Sequence, residues 1–245
     1  NVSLVIIQDK ERFNVLMKEN YFSSNAVVFL PNAPLPVPVQ RSGFLREKFG
    51  ISEEKRIVLC AGSIASWSAR DFLEEMVSYW PNKYVLVINS RANPGPLMSK
   101  FLNKIQSSGR IFVTEAPSYG DQMIRLFASA DYGLASYVPV PEGWATYSNV
   151  YHMGLSSGKV GYYAMCGLPI VASALPVYVS AFQEYKAGGT YKRLAEAADV
   201  LVNLDKNYDF HASEARRWYD EVLNPTRSLD LIVERIRGIQ AGANV

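Results

Sequence analysis

Short apolar runs of four to seven residues alternate along most of this chain with segments whose apolar positions recur at helical spacing, and this alternation restricts the fold more than any other feature. A run of that length suits a strand buried on both faces. A helix between two such strands returns the chain so that they lie parallel. The fold class expected is therefore α/β, a Rossmann-like parallel sheet with helices on both faces. Strands are expected at Val2 to Ile7, Ala26 to Leu30, Arg56 to Ala61, Tyr84 to Ile88, Arg110 to Thr114, Tyr132 to Ser136 and Pro169 to Ala172. In the helical segment Arg70 to Trp80, Phe72, Leu73, Met76 and Tyr79 are expected to face the sheet, with Glu74 and Glu75 turned away. The last part of the chain, Phe182 to Glu221 and Thr226 to Gln240, reads as wholly helical, with Glu214, Arg216, Arg217, Glu234 and Arg235 solvated.

A length of 245 residues suits one large α/β domain, or one domain with a fragment of another. The balance of 25 Lys and Arg against 23 Asp and Glu lacks the basic excess of a phosphate-backbone binder, so nucleic acid is not an expected partner. Cys60 and Cys166 lie in apolar runs and are expected to be buried, reduced thiols, which points to a cytoplasmic setting. No apolar stretch approaches the length of a transmembrane segment, and the start has no basic stretch followed by an apolar one. An initial Asn leading directly into a strand-like run looks like a cut inside a longer protein.

The stretch from Leu30 to Pro38 carries prolines at Pro31, Pro34, Pro36 and Pro38, which neither a helix nor a central strand continues through. Two readings stand side by side, a hinge between domains and a rigid loop within one.

Ligands of open parallel sheets collect beyond the carboxyl ends of the strands, where helix N-termini present unpaired N–H groups. The loop from Tyr137 to Leu155 is long enough to suggest function. It runs into Ser156-Ser157-Gly158-Lys159, where the serines offer capping hydroxyls, Gly158 admits a close ligand and Lys159 adds a cation at a positive helix end. That combination suits a diphosphate, although a plain helix start would use the same residues. A Walker A loop is excluded by spacing, because only three residues separate Gly154 from Gly158 and Val160 follows Lys159. Gly62-Ser63-Ile64-Ala65-Ser66 lacks the further glycines of a dinucleotide fingerprint. The chain has two histidines without partners at ligand spacing and no Asp-x-Asp pair, so metal-independent chemistry is expected. His211 is expected at the surface. His152 adjoins the phosphate loop, where a structural place and a ligand or proton-transfer role both remain open.

The string from Gly154 to Lys159, continuing through Tyr163-Ala164-Met165-Cys166-Gly167-Leu168-Pro169-Ile170-Val171-Ala172-Ser173, resembles the donor-binding motif of GT-B glycosyltransferases. Leu30-Pro31-Asn32-Ala33 resembles their interdomain hinge, Val58 to Ser63 their first C-terminal strand and glycine loop, and Leu126 to Leu134 the helix-to-strand step before the donor loop. The resemblance implies two facing domains. Residues 1–35 would be the end of the N-terminal acceptor domain and the hinge, and residues 36–245 the domain that binds a nucleotide sugar. It implies Gly62, Ser63, Ser156, Ser157, Gly158 and Lys159 as the diphosphate contacts. For base and ribose it points to Arg91, Pro117, Tyr119 and Tyr162, and for the sugar to Glu142, His152 and Gly154. Tyr119 serves equally as a local packing aromatic, and Arg91 as a solvated one. The acidic slots that many members fill with glutamate fall here on Gly154 and Tyr162, and Ser63 and Arg70 stand where a basic pair is usual.

The function implied is transfer of a hexosyl group from a nucleotide diphosphate sugar to a glycan, lipid-linked or small-molecule acceptor. No cofactor is expected beyond that donor, and the location is cytoplasmic or membrane-peripheral. Lys159 and the N–H groups from Ser157 to Lys159 would stabilise charge on the leaving diphosphate. A non-catalytic nucleotide-binding module and a GT-B-like nucleotide-sugar epimerase are the alternatives.

Overall fold

The computed structural model describes residues 2–20, 26–90, 109–114, 120–140 and 147–242. Strand β1 (Val5–Ile7), helix α1 (Lys10–Glu19) and strand β2 (Val27–Phe29) come first, and β1 and β2 pair in parallel as a small sheet of their own. After the proline-rich stretch and the short helix α2 (Phe44–Phe49) the main sheet begins with β3 (Arg56–Gly62). It continues through α3 (Leu73–Ser78), β4 (Tyr84–Ser90), β5 (Ile111–Thr114), α4 (Gly120–Phe127) and β6 (Tyr132–Ala135). Helices α5 (Tyr147–Tyr151) and α6 (Gly158–Met165) lead to β7 (Ile170–Ser173), α7 (Pro176–Tyr185) and β8 (Gly188–Tyr191). Helices α8 (Glu196–Asp205), α9 (Tyr208–Trp218) and α10 (Thr226–Gly242) finish the chain.

The six main strands are all parallel, in the order β5-β4-β3-β6-β7-β8. Counted from β3, this is the doubly wound order whose direction reverses between the first and fourth strands. Strand β3 explains the layering. Ile57, Leu59 and Ala61 enter one core with Leu126, Phe127, Tyr163 and Trp218, while Val58 and Cys60 enter the other with Leu73, Met76 and Leu201. Alternate side chains of a central strand thus supply both layers. Cys60 and Cys166 are free and buried, and burial pushes both thiols up, Cys166 to about 12. Among the described residues no helix is long and apolar enough to cross a membrane.

Each expected strand appears, with ends shifted by one to three residues, as in Val5–Ile7 against Val2 to Ile7. Three expectations are corrected. The stretch Phe182 to Glu221 is not wholly helical, because β8 lies within it as the edge strand beside β7. Its glycines hide it, since they are poor strand formers, yet here they are required. A Cβ on Gly188 would stand 2.1 Å from the Ile170 carbonyl oxygen, and one on Gly189 would stand 2.7 Å from Val200 Cγ1. In the Arg70 to Trp80 segment, Leu73, Met76, Val77 and Trp80 face the core, while Phe72 and Tyr79 are 38% and 48% exposed. A 3-10 turn at Arg70–Phe72, entered from Ala69 at φ 60°, delays the α-helix to Leu73 and rotates its apolar face. Arg216 is more than a solvated charge. It pairs with Asp220 and donates to the Met165 carbonyl at 3.0 Å, supplying a cation at the C-terminus of α6. His211 lies partly exposed at the surface, as expected, with Nδ1 2.7 Å from the Lys186 carbonyl.

Two carboxylates tie α8 to its surroundings. Glu196 accepts from the Lys192 and Arg193 N–H groups, and these bonds hold it near 2, well below the usual carboxylate range. For Asp205, burial acts upward, but bonds from Lys83 and Tyr132 prevail and hold it below its ordinary value. A depressed folded-state value stabilises at pH above the unfolded one and is lost as pH falls through the folded one. Stability is therefore expected to decline from about pH 5 toward about pH 2. Glu196→Gln should flatten the lower end of that decline in acid unfolding followed by circular dichroism. An unchanged curve would remove Glu196 from the effect.

Candidate functional site

Strands β3 and β6 pair only at Val58↔Tyr132 and Leu59↔Gly133, after which they part. Tyr163 of α6 fills the wedge between them. Its hydroxyl accepts from the Ala61 N–H at 3.0 Å and donates to the Leu59 carbonyl at 2.8 Å, with the Leu134 carbonyl at 3.2 Å. The ring is fully buried and lies over Gly133, where a Cβ would stand 2.3 Å from Tyr163 Cγ. These contacts fix α6 against the switch point of the sheet. Because α6 connects β6 to β7 in a parallel crossover, its N-terminus opens beyond the carboxyl ends of the strands.

Gly62 ends β3 at φ 104°, with nothing within 4 Å of the position a Cβ would take, and Ser63 beside it is exposed. Across the crevice Ser157 is the N-cap residue of α6, followed by Gly158 and Lys159. Sequence reasoning gave the two serine hydroxyls a capping role, and the structure corrects it. Ser157 Oγ bonds the Tyr137 hydroxyl, Ser156 Oγ donates to the Met153 carbonyl, and α6 has no side-chain cap. The helix end is left to other acceptors, which suits an anion. The half-buried Lys159 holds Nζ 5.0 Å over the Tyr137 ring, and its charge opposes the upward push of burial on the Cys60 thiol of β3. Lys159 therefore stands near both strands that border the crevice.

Tyr137 was missed as a site residue, although it opens the long loop after β6. Its backbone N–H and carbonyl both bond Ser173 Oγ, at 2.8 and 2.9 Å, and its ring stacks on Trp67 at 6.1 Å with 2° between planes. Trp67 in turn accepts from the Val138 N–H at 2.8 Å. The loop after β3 and the loop after β6 are thereby joined beside Lys159.

Glycosyltransferases are among the solved structures with the same architecture. One is WaaG, a glycosyltransferase involved in lipopolysaccharide biosynthesis, at 17% identity and TM-score 0.64 over 93% of this chain and 62% of that one. Anabaena HepE, solved in complex with UDP-glucose, matches at 14% identity and TM-score 0.67 over 96% of this chain and 64% of that one. Sucrose-phosphate synthase from Thermosynechococcus elongatus matches at 13% identity and TM-score 0.68 over 99% and 59%. The chain has the GT-B fold. It spans less than two thirds of the length of these structures. No protein-family model matches the sequence, and no curated protein matches it.

Gly62 ends β3 with Ser63 just after it, Ser157, Gly158 and Lys159 begin α6, and Ser156 lies in the turn just before α6. Gly154, the first acidic slot, adopts φ 39° next to the carboxylate of Asp9. Tyr162, the second, stacks on Phe127 of α4 at 4.9 Å, in the apolar layer between the two helices. His152 is half-buried, its carbonyl accepts from Arg12 Nη1 at 3.2 Å, and its ring meets Tyr151 edge-on. Arg70 makes a bidentate pair with Asp71. Arg91, Pro117, Tyr119 and Glu142 lie outside the described residues.

Proposed function

We propose that this chain is the donor-binding part of a metal-independent glycosyltransferase that takes a hexosyl group from a nucleotide diphosphate sugar. The observation that carries the reading is the N-terminus of α6, without a side-chain cap and with Lys159 beside it, at the switch point of a GT-B sheet. The helix N–H groups and the ammonium form a preorganised positive site that gains most where charge builds up on the departing diphosphate. Residues 36–245 form the donor domain, and residues 1–35 belong to the acceptor side and hinge. A glycan, lipid-linked or small-molecule acceptor enters from that side, in a cytoplasmic or membrane-peripheral protein. Gly62, Ser63, Ser156, Ser157, Gly158 and Lys159 hold the diphosphate. Arg91, Pro117, Tyr119 and Tyr162 remain the proposed base and ribose contacts, and Glu142, His152 and Gly154 the sugar contacts.

Calorimetric titration with UDP, GDP and their sugars tests the reading, and heat with none of them would sink it. Lys159→Ala is expected to weaken the diphosphate forms by about thirtyfold, the worth of a charge-assisted contact, and to leave the nucleoside unchanged. An unchanged ratio would remove Lys159 from its role. A second reading has its own support. With Gly154 and Tyr162 in the acidic slots, a non-catalytic nucleotide-binding module fits the same crevice, and it would bind donor without turnover in the full-length protein. Sugar interconversion without an acceptor would mark an epimerase instead.

A further inference from the structure

We propose that Asp9 is a positioning residue for the diphosphate loop, setting the first turn of α6 from the segment between β1 and α1. The proposal rests on the function argued above. Asp9 is only 6% exposed, and its two oxygens have separate tasks. Oδ1 accepts from the Arg12 N–H at 2.9 Å and caps α1, while Oδ2 accepts from the Leu155 N–H at 3.0 Å. A cap alone needs one acceptor, and serine or asparagine serves as well. Only a carboxylate offers one acceptor to each N–H here.

The turn that Oδ2 grips, Gly154–Ser156, directly precedes Ser157 and α6. Its other peptide groups are held as well. The Gly154 carbonyl accepts from the Tyr178 hydroxyl at 2.8 Å, the Leu155 carbonyl from the Asn32 N–H at 2.8 Å, and the Ser156 carbonyl from Asn32 Nδ2 at 3.0 Å. Gly154 suits the carboxylate, because a Cβ there would stand 2.7 Å from Asp9 Oδ2. A negative charge this close to a diphosphate site does nothing for attraction. Its value is geometric, since it orients the turn whose continuation points the N–H groups of α6, and anion binding by fixed dipoles depends on that direction. The segment bearing β1 and the donor loop are thus one mechanical unit, joined through Asp9 and Asn32.

The test titrates the full chain and its Lys159→Ala, Asp9→Ser and Asp9→Asn variants with inorganic pyrophosphate, UDP and uridine. Thermal unfolding and hydrogen exchange at the Leu155 amide accompany the titrations. Asp9→Ser keeps the α1 cap and removes the Leu155 acceptor. It is expected to weaken pyrophosphate and UDP about tenfold, speed Leu155 exchange and leave uridine unchanged. Asp9→Asn should fall between wild type and Asp9→Ser, and it decides the same comparison if Asp9→Ser does not fold. If Lys159→Ala weakens pyrophosphate while both Asp9 variants stay within about twofold of wild type, the positioning role is overturned and the donor site stands. An equal loss for uridine and UDP would make Asp9 a general structural residue and overturn the role. Failure of wild type to bind pyrophosphate or UDP overturns both readings together.

Discussion

Replacing Asp131 by alanine is expected to lower unfolding free energy by about 3–5 kcal/mol, the cost of removing one partner from a buried charge cluster. The Asp131 side chain is 2% exposed and bonds Arg41 Nη2 at 2.9 Å, Arg46 Nη2 at 3.0 Å and the Ile57 N–H at 2.7 Å. Arg41 is mostly exposed, so water screens its share. The loss falls on Arg46, 14% exposed, and on a buried N–H of β3 that no longer has an acceptor. Asp131→Asn keeps the shape and one acceptor and should cost less, about 1–3 kcal/mol. Urea unfolding measures both. A loss under about 1 kcal/mol for the alanine variant would place it with surface pairs and refute the argument. Asp131 precedes β6, at the end of the sheet away from the crevice, so folded variant protein should bind diphosphate as wild type does.

The second large effect is expected at Gly133. An alanine methyl there would stand 2.3, 2.4 and 2.7 Å from three atoms of the Tyr163 ring. Neither side can yield easily, because Gly133 is paired to both Leu59 and Ile170, and the Tyr163 hydroxyl is bonded across the strand gap. Overpacking of this kind costs about 3 kcal/mol. Movement of α6 to relieve it would also displace the proposed diphosphate groups, so affinity for UDP should fall with stability. In a double-mutant cycle with Tyr163→Leu, the pair should cost less than the sum of the singles by at least about 1 kcal/mol. Strict additivity would mean that the ring and the glycine do not meet.

The sheet was legible in the sequence because central parallel strands must be continuous apolar runs, and β3, β4 and β6 are. The Gly167 and Pro169 break was legible for a related reason: Gly167 takes φ 66° at the end of α6, a conformation that few other residues accept. Strand β8 was not legible, since close approach to Ile170 and Val200 demanded glycines that read as turn. The face of α3 was misjudged because Ala69, an ordinary residue, holds a left-handed conformation that no local pattern announces. In the proposed site, the sequence draws attention to the serines and the lysine but does not show the partners of the serines. Tyr137 meets Ser157 across 20 residues of sequence and Asp9 meets Leu155 across 146. Contacts of that range are set by how the sheet folds up.

The crowding at Gly154 also bears on which sequences lie one step away. An acidic residue at this slot would put its Cβ 2.7 Å from the Asp9 carboxylate and 2.9 Å from Val177 Cγ2, on backbone at φ 39°. Glutamate cannot be introduced there by a single substitution without meeting like charge, a steric clash and backbone strain together. Asp9 and Val177 would have to change first, and changing Asp9 loosens the turn. The three positions are entrenched as a set, so the neighbourhood of position 154 should vary in concert or not at all.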